Sequence, residues 1–177
     1  RILSLKNTIL KTPERAGLYH DMAVIFGQRG EFEKARRRYI QAVTRDPDFA
    51  PAYHNLGNIQ LRNRQLREAM GLFRRALRAD STYVLAYLSL GNAHMVRREP
   101  KAALRIYRRG LSFDADNARL LERAAMARAA LAAAAQHQRM RHVAPILVSH
   151  AAGLSPHPSF GASGRSSLTN LSKSSAA

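Results

Sequence analysis

An all-α fold is predicted for this chain, a right-handed superhelical solenoid of antiparallel helix pairs. Three observations predict it. Residues of like size recur every 34 positions over most of the sequence. Within each period the apolar residues stand at i, i+3, i+4 and i+7, the spacing of one helix face. Finally, "AYHNLGN" at 52–58 returns as "AYLSLGN" at 86–92. Each copy places a glycine inside a helix, where it costs about 1 kcal/mol relative to alanine.

The elements follow in order. In residues 1–15, Leu5, Thr8, Ile9 and Pro13 fall one period before Tyr39, Ala42, Val43 and Pro47. That stretch reads as the second helix of a truncated preceding unit, so the chain is expected to be a fragment of a longer array. Unit 1 is 16–49, unit 2 is 50–83 and unit 3 is 84–117. Tyr19, Tyr53 and Tyr87 share a slot; so do Ala23, Gly57 and Gly91; so do Ala35, Ala69 and Ala103; so do Tyr39, Phe73 and Tyr107. Each unit breaks into two short helices at a turn, "QRGE" in unit 1 and "RNRQ" in unit 2. Gly30 suits a left-handed helix stop, and Pro100 suits the start of a second helix, where its missing N–H does no harm. Asp48, Thr82 and Asp116 stand where N-caps belong. Gly57 and Gly91 are expected to let the partner helix approach, with Ala69 and Ala103 opposite. Tyr53 and Phe73 then fill the space between successive units, each burial contributing about 1.5–3 kcal/mol. Residues 118–142, rich in alanine and polar on one side, read as a capping helix. Residues 143–177 hold Ser, Ala, Gly and Pro without an acid and read as a disordered tail.

Composition narrows the chemistry. The 177 residues include no cysteine, which excludes disulfides, thiol catalysis and cysteine-ligated metal sites. The net charge is +17, from 29 Lys+Arg against 12 Asp+Glu, a balance that attracts acidic proteins, nucleic acid or anionic surfaces. No apolar run approaches the ~20 residues of a membrane span. Compartment stays open, with the cytoplasm favoured. There is no HExxH, no GxSxG and no phosphate-cradling glycine loop, so no enzyme, cofactor or small-molecule substrate is expected. His20 and His54 share a slot but lack further ligands, so no metal site is expected.

The recurring small and large residues resemble the tetratricopeptide repeat, a helix–turn–helix unit of 34 residues, over about residues 1–120. The family's tryptophan is tyrosine here. Its closing proline is present as Pro47 but replaced by Ser81 and Ala115, and its tyrosine late in the first helix is Phe26, then Gln60 and His94. These departures predict looser packing in units 2 and 3. The resemblance implies a protein-interaction scaffold that binds an extended peptide or partner helix of another protein.

In such a solenoid the first helices line the concave face. Opposite the core stripe, unit 1 offers His20 and Val24, unit 2 offers His54, Asn55, Asn58 and Arg62, unit 3 offers Leu88, Asn92 and Met95, and the cap offers Arg119 and Arg123. Asparagine both donates to and accepts from a peptide backbone, and arginine holds a carboxylate bidentately. Some family members clamp a C-terminal carboxylate with a Lys-Asn-Asn-Lys-Arg set. The corresponding slots here hold His54, Asn58, Ser89, Arg119 and Arg123, which match only in part.

Two alternatives remain. The second helices carry Arg36, Arg37 and Arg38, then Arg74, Arg75 and Arg78, then Arg105, Arg108 and Arg109, a convex stripe able to meet phosphate or RNA. Base stacking would need free aromatics, and only Phe49, Tyr83, Phe113 and Phe160 lie outside core slots. The chain is alternatively the substrate-recruiting region of a larger enzyme, as in O-linked GlcNAc transferases. A long asparagine ladder would mark that case, but the slot of Asp21, Asn55 and Ser89 has one asparagine.

Overall fold

A computed structural model of the chain describes residues 13–152, with side chains described from 15 to 140. Residues 1–12 of the leading half unit and 153–177 of the expected tail lie outside the described residues. The described chain is helical and contains no strand. α1 spans Pro13–Gln28, α2 Phe32–Arg45, α3 Ala50–Arg62, α4 Leu66–Ala79, α5 Val84–Val96, α6 Pro100–Leu111 and α7 Ala118–Ala152. α7 runs on past residue 142, where the capping helix was expected to end.

Packing divides the chain into two units, Arg1–His137 and Gln138–Ala177. In the second, the described part is the helical backbone to Ala152, with the exposed Met140 on it. The first holds the array. α1 packs on α2, α3 on α4 and α5 on α6, while α2 also packs on α3 and α4 on α5. Each core is shared between neighbouring pairs, which makes the array a solenoid rather than a string of hairpins. Ala23, Tyr39, Ala52 and Leu56 join units 1 and 2; Phe73, Met70, Leu90 and Ala93 join units 2 and 3; Tyr107, Leu120 and Ala124 join unit 3 to α7. Tyr53 lies against Ala76 and Ala86, again between units 2 and 3.

The glycine slots have a different partner from the one expected. A Cβ built on Gly57 would meet Cε1 of Phe73 at 2.4 Å, and one on Gly91 would meet Cε1 of Tyr107 at 2.2 Å. The space belongs to the aromatic ring of the same unit's second helix, not to its backbone. Gly110 likewise seats Leu120 and Cβ of Tyr87, at 2.8 and 2.9 Å.

Units 2 and 3 are not looser than unit 1. Phe73 and Tyr107 are fully buried, and Tyr87 is nearly so. The hydroxyl of Tyr87 donates to the carbonyl of Ser81 at 2.9 Å, so the residue standing where proline was expected accepts a hydrogen bond. His94, in the family's tyrosine slot, donates from Nδ1 to Glu99 at 2.7 Å.

The helix stops repeat as well. Gly30 sits at φ +79°, and one period on, Arg64 and Arg98 sit at +60° and +59°. The left-handed turn closes the helix by hydrogen bonds such as Gln65 N–H to the Gln60 carbonyl, 2.9 Å. A side chain in this region is strained by about 1–2 kcal/mol. Arg64→Gly should therefore raise stability by up to about 1 kcal/mol once glycine's extra unfolded-state entropy is deducted. Chemical denaturation should show a higher midpoint at unchanged m-value.

The expected N-caps are corrected. α3 and α5 begin after Phe49 and Tyr83, and neither helix has a side-chain cap. The cap slot is taken by an aromatic ring, for the reason given below. Asp46 and Asp80 hold the linkers instead, accepting from the backbone N–H of Asp48 at 3.0 Å and of Thr82 at 2.8 Å. At α7 the cap is Asn117, whose Oδ1 accepts from Leu120 N–H at 3.1 Å. The Pro100 expectation agrees with α6, which starts there.

Candidate functional site

The first helices α1, α3 and α5 carry the residues expected to face a ligand, and the structure sorts them into two groups. The first group is turned inward. His20 lies between the rings of Tyr39 and Phe49, with centroids at 5.5 and 5.4 Å. His54 repeats this between Phe73 and Tyr83, at 5.7 and 5.6 Å. The aromatic residue ahead of α3 and of α5 is thus one wall of a histidine slot, which is why no capping side chain stands at either.

Both histidines also tie one unit to the next. His20 Nε2 accepts from the Asn55 amide at 3.0 Å, while its Nδ1 lies 3.3 Å from the Asp21 carboxylate. His54 Nε2 is bonded to the Ser89 hydroxyl at 3.0 Å. His54 is only 9% exposed. Burial holds its imidazole pKa below the ordinary value, partly opposed by a hydrogen bond with the Asn55 side chain. His54 and Ser89, the two slots that depart from the family's carboxylate clamp, satisfy each other. Leu88, in the histidine slot of unit 3, packs into the core around Tyr107.

The second group lines two recesses. One, of about 340 Å³, is bordered by Val24, Gln28, Phe32, Tyr39, Asn55, Asn58 and Arg62. The guanidinium of Arg62 lies 3.9 Å over the Phe32 ring, a cation–π contact that fixes a flexible side chain at the rim. The other recess, of about 180 Å³, is bordered by Asn92, Met95, Val96, Tyr107, Arg123 and Met126. Val96 is 70% exposed and Met126 48%, so its mouth is apolar. Arg119 is exposed and lines neither recess.

The two recess asparagines differ although they share a slot. The Tyr107 hydroxyl donates to Asn92 Oδ1 at 2.8 Å. Burial pushes that hydroxyl up to about 12, with Arg123 pulling the other way, so it stays a donor. Asn92 keeps its N–H groups for a ligand, while its oxygen is already engaged. In unit 2 the equivalent ring is Phe73, which has no hydroxyl. Asn58 consequently makes no hydrogen bond among the described residues, and its amide can both donate and accept.

Val96 and Met126 extend the expected stripe on α5 and α7, whereas Phe32 and Tyr107 are recess residues that the stripe did not include. Tyr107 reads as a core residue, and its bond to Asn92 had no periodic signal, because the same two slots hold Val24 and Tyr39 in unit 1 and Asn58 and Phe73 in unit 2. Phe32 had no signal, since its partner Arg62 lies in another unit.

The arginines of the second helices are largely exposed. Arg36 donates to Glu33 at 3.1 Å and Arg38 to Gln41 at 2.9 Å. Of the four candidate stacking aromatics, Phe49 and Tyr83 wall the histidine slots, Phe113 stacks on Tyr87 at 5.7 Å, and Phe160 lies outside the described residues. Among the described residues no His, Asp and Glu cluster fits a metal ion, and no helix is long and apolar enough to cross a membrane.

A tetratricopeptide repeat family model matches residues 20–84 and 54–119. No curated protein sequence matches the chain. Among solved structures it is similar to the first tetratricopeptide domain of Spaghetti (RPAP3) bound to the HSP90 peptide SRMEEVD, at 19% identity and TM-score 0.63, covering 68% of this chain and 96% of that one. It is similar to the second such domain of human RPAP3 in complex with the HSP70 peptide SGPTIEEVD, at 19% identity and TM-score 0.59, covering 66% and 98%. YrrB, described as a tetratricopeptide protein with an unusual peptide-binding site, matches at 26% identity and TM-score 0.55, covering 62% of this chain and 56% of that one. The likeness to the two RPAP3 domains is one of fold.

Proposed function

Because the chain belongs to the tetratricopeptide repeat family, we propose that it is a non-catalytic scaffold that binds an extended peptide or partner helix of another protein along its first helices. The observation that carries this reading is Asn58, a half-buried amide at a recess with no partner of its own. An amide held this way grips a peptide unit of any sequence through its C=O and N–H. Arg62 and Arg123 supply cations at the two recesses, and Met95, Val96 and Met126 offer an apolar seat. Similar domains carry acidic peptides, and the cations here favour the same ligand class. The ligand is not held by the five-residue clamp, since His54 and Ser89 are bonded to each other. The histidine ties preorganise the array, so the partner bears most of the ordering cost.

The test is partner capture by the full chain, with and without nuclease, beside Asn58→Ala/Arg123→Ala. Asn92 is left intact, because removing it strands the Tyr107 hydroxyl at a cost of about 1–3 kcal/mol. Partners should survive nuclease and fall at least tenfold with the double variant, identified by quantitative mass spectrometry. Partners that disappear with nuclease but ignore the variant would transfer the function to the arginines of the second helices.

A further inference from the structure

A larger opening lies away from the first-helix recesses. It is a cleft of about 960 Å³ between α6 and α7. Leu104 and Leu131 give it an aliphatic floor, and Arg98, Lys101, Arg105 and Arg108 stand around it. Its one carboxylate, Glu99, is already engaged by His94 Nδ1 at 2.7 Å and Arg97 at 2.9 Å. None of the four cations makes an ion pair among the described residues.

We propose that this cleft docks an acidic amphipathic helix from another protein. The repeat itself indicates the shape of the occupant. Leu104 stands one period after Met70. Met70 is 1% exposed, in a core against which Ile106 of the following second helix packs. Leu104 is only half-buried. The period would place a turn at residues 131–133, followed by another second helix; α7 instead continues unbroken through them. Within residues 13–137, therefore, no second helix follows α7 to cover Leu104. A helix in that place completes the pattern, as in other helix-in-groove contacts.

Charge selects the source. Residues 1–12 and 143–177 contain no Asp or Glu, so neither of these segments offers a carboxylate to the four cations. A second copy carries the same +17 and is repelled. Nucleic acid would match the cations but gains little from an aliphatic floor that offers no ring to stack on. A helix with leucine-like residues on one stripe and carboxylates beside it satisfies both features.

The probe is a labelled synthetic helix-forming peptide with Leu at i, i+3, i+4 and i+7 and Glu flanking them, titrated with the full chain by fluorescence anisotropy. Its comparators are the same composition in scrambled order and an oligouridylate of equal charge. The ordered peptide should bind at least tenfold more tightly than either. Arg105→Glu/Arg108→Glu should weaken it at least tenfold, and Leu131→Ser several-fold without any change of charge. Asn58→Ala/Arg123→Ala, which tests the other face, should leave this affinity unchanged. Both cleft arginines are exposed, so their reversal should preserve the helical circular dichroism; if it does not, Leu131→Ser still decides. Equal binding of the scrambled peptide, tighter binding of the oligouridylate, loss through the Asn58/Arg123 variant alone, or no saturable binding would each overturn the proposal.

Discussion

Gly57→Leu should destabilise the array by about 3 kcal/mol or more, lowering its melting temperature by about 10 °C or more. The first side-chain carbon alone would lie 2.4 Å from Cε1 and 2.8 Å from Cδ1 of Phe73. Phe73 is fully buried in the core that joins units 2 and 3, so its ring has no open side to turn toward. Gly71→Leu is the control, because nothing lies within 4 Å of a Cβ there. That variant should be neutral or slightly stabilising, through leucine's better helix propensity. Gly57→Ala should fall between, since unit 1 already holds Ala23 in the same slot and packs it in one core with Tyr39. Adding Phe73→Ala to Gly57→Leu should recover part of the loss, a coupling that a double-mutant cycle isolates. A Gly57→Leu chain that melts like the parent would refute the ring-on-glycine packing.

The period made the helices legible, because a solenoid forces the same residue sizes to recur wherever the same contact recurs. Gly57, Gly91, Ala69 and Ala103 could be placed at crossings on that ground alone. What the glycine faces was not legible. A small residue in a periodic slot says that something comes close, and a ring and a backbone leave the same sequence mark. The caps misled for a related reason. Asp48, Thr82 and Asp116 are good capping residues, but Phe49 and Tyr83 hold the cap positions because their rings wall the histidine slots. Local preference gave way to burial of an aromatic ring, which is worth more.

The sequence places the candidate site residues on one stripe, and the structure turns some of them inward and leaves others at recesses. Helical periodicity tells which side of α3 a residue occupies; it does not tell whether a histidine there turns outward or into the seam with the next unit. The informative pairing was across periods: His20 with Asn55 and His54 with Ser89, each one position beyond the repeat length. The cleft between α6 and α7 had no signal in the repeat either, because it arises where the repeat stops being followed.

His54 should account for the second large effect, one with a pH signature. His54→Ala removes a ring packed against Phe73 and Tyr83 and leaves the Ser89 hydroxyl without its partner. The expected loss is about 2–4 kcal/mol, from cavity and unmade hydrogen bond together. His54→Leu refills most of the volume and should lose less. The sign of the pH effect follows from burial. The folded imidazole has a pKa below its ordinary value of 6.5, so between those two values the unfolded chain binds the proton more readily. The stabilisation is then present above 6.5 and is lost as pH falls through 6.5 toward the folded value. The parent protein's melting temperature should therefore drop between about pH 7.5 and about pH 5.5, and the His54→Leu drop should be smaller. If both chains lose the same stability over that range, the proton is taken up elsewhere, and His54 does not sit neutral in the seam between units 2 and 3.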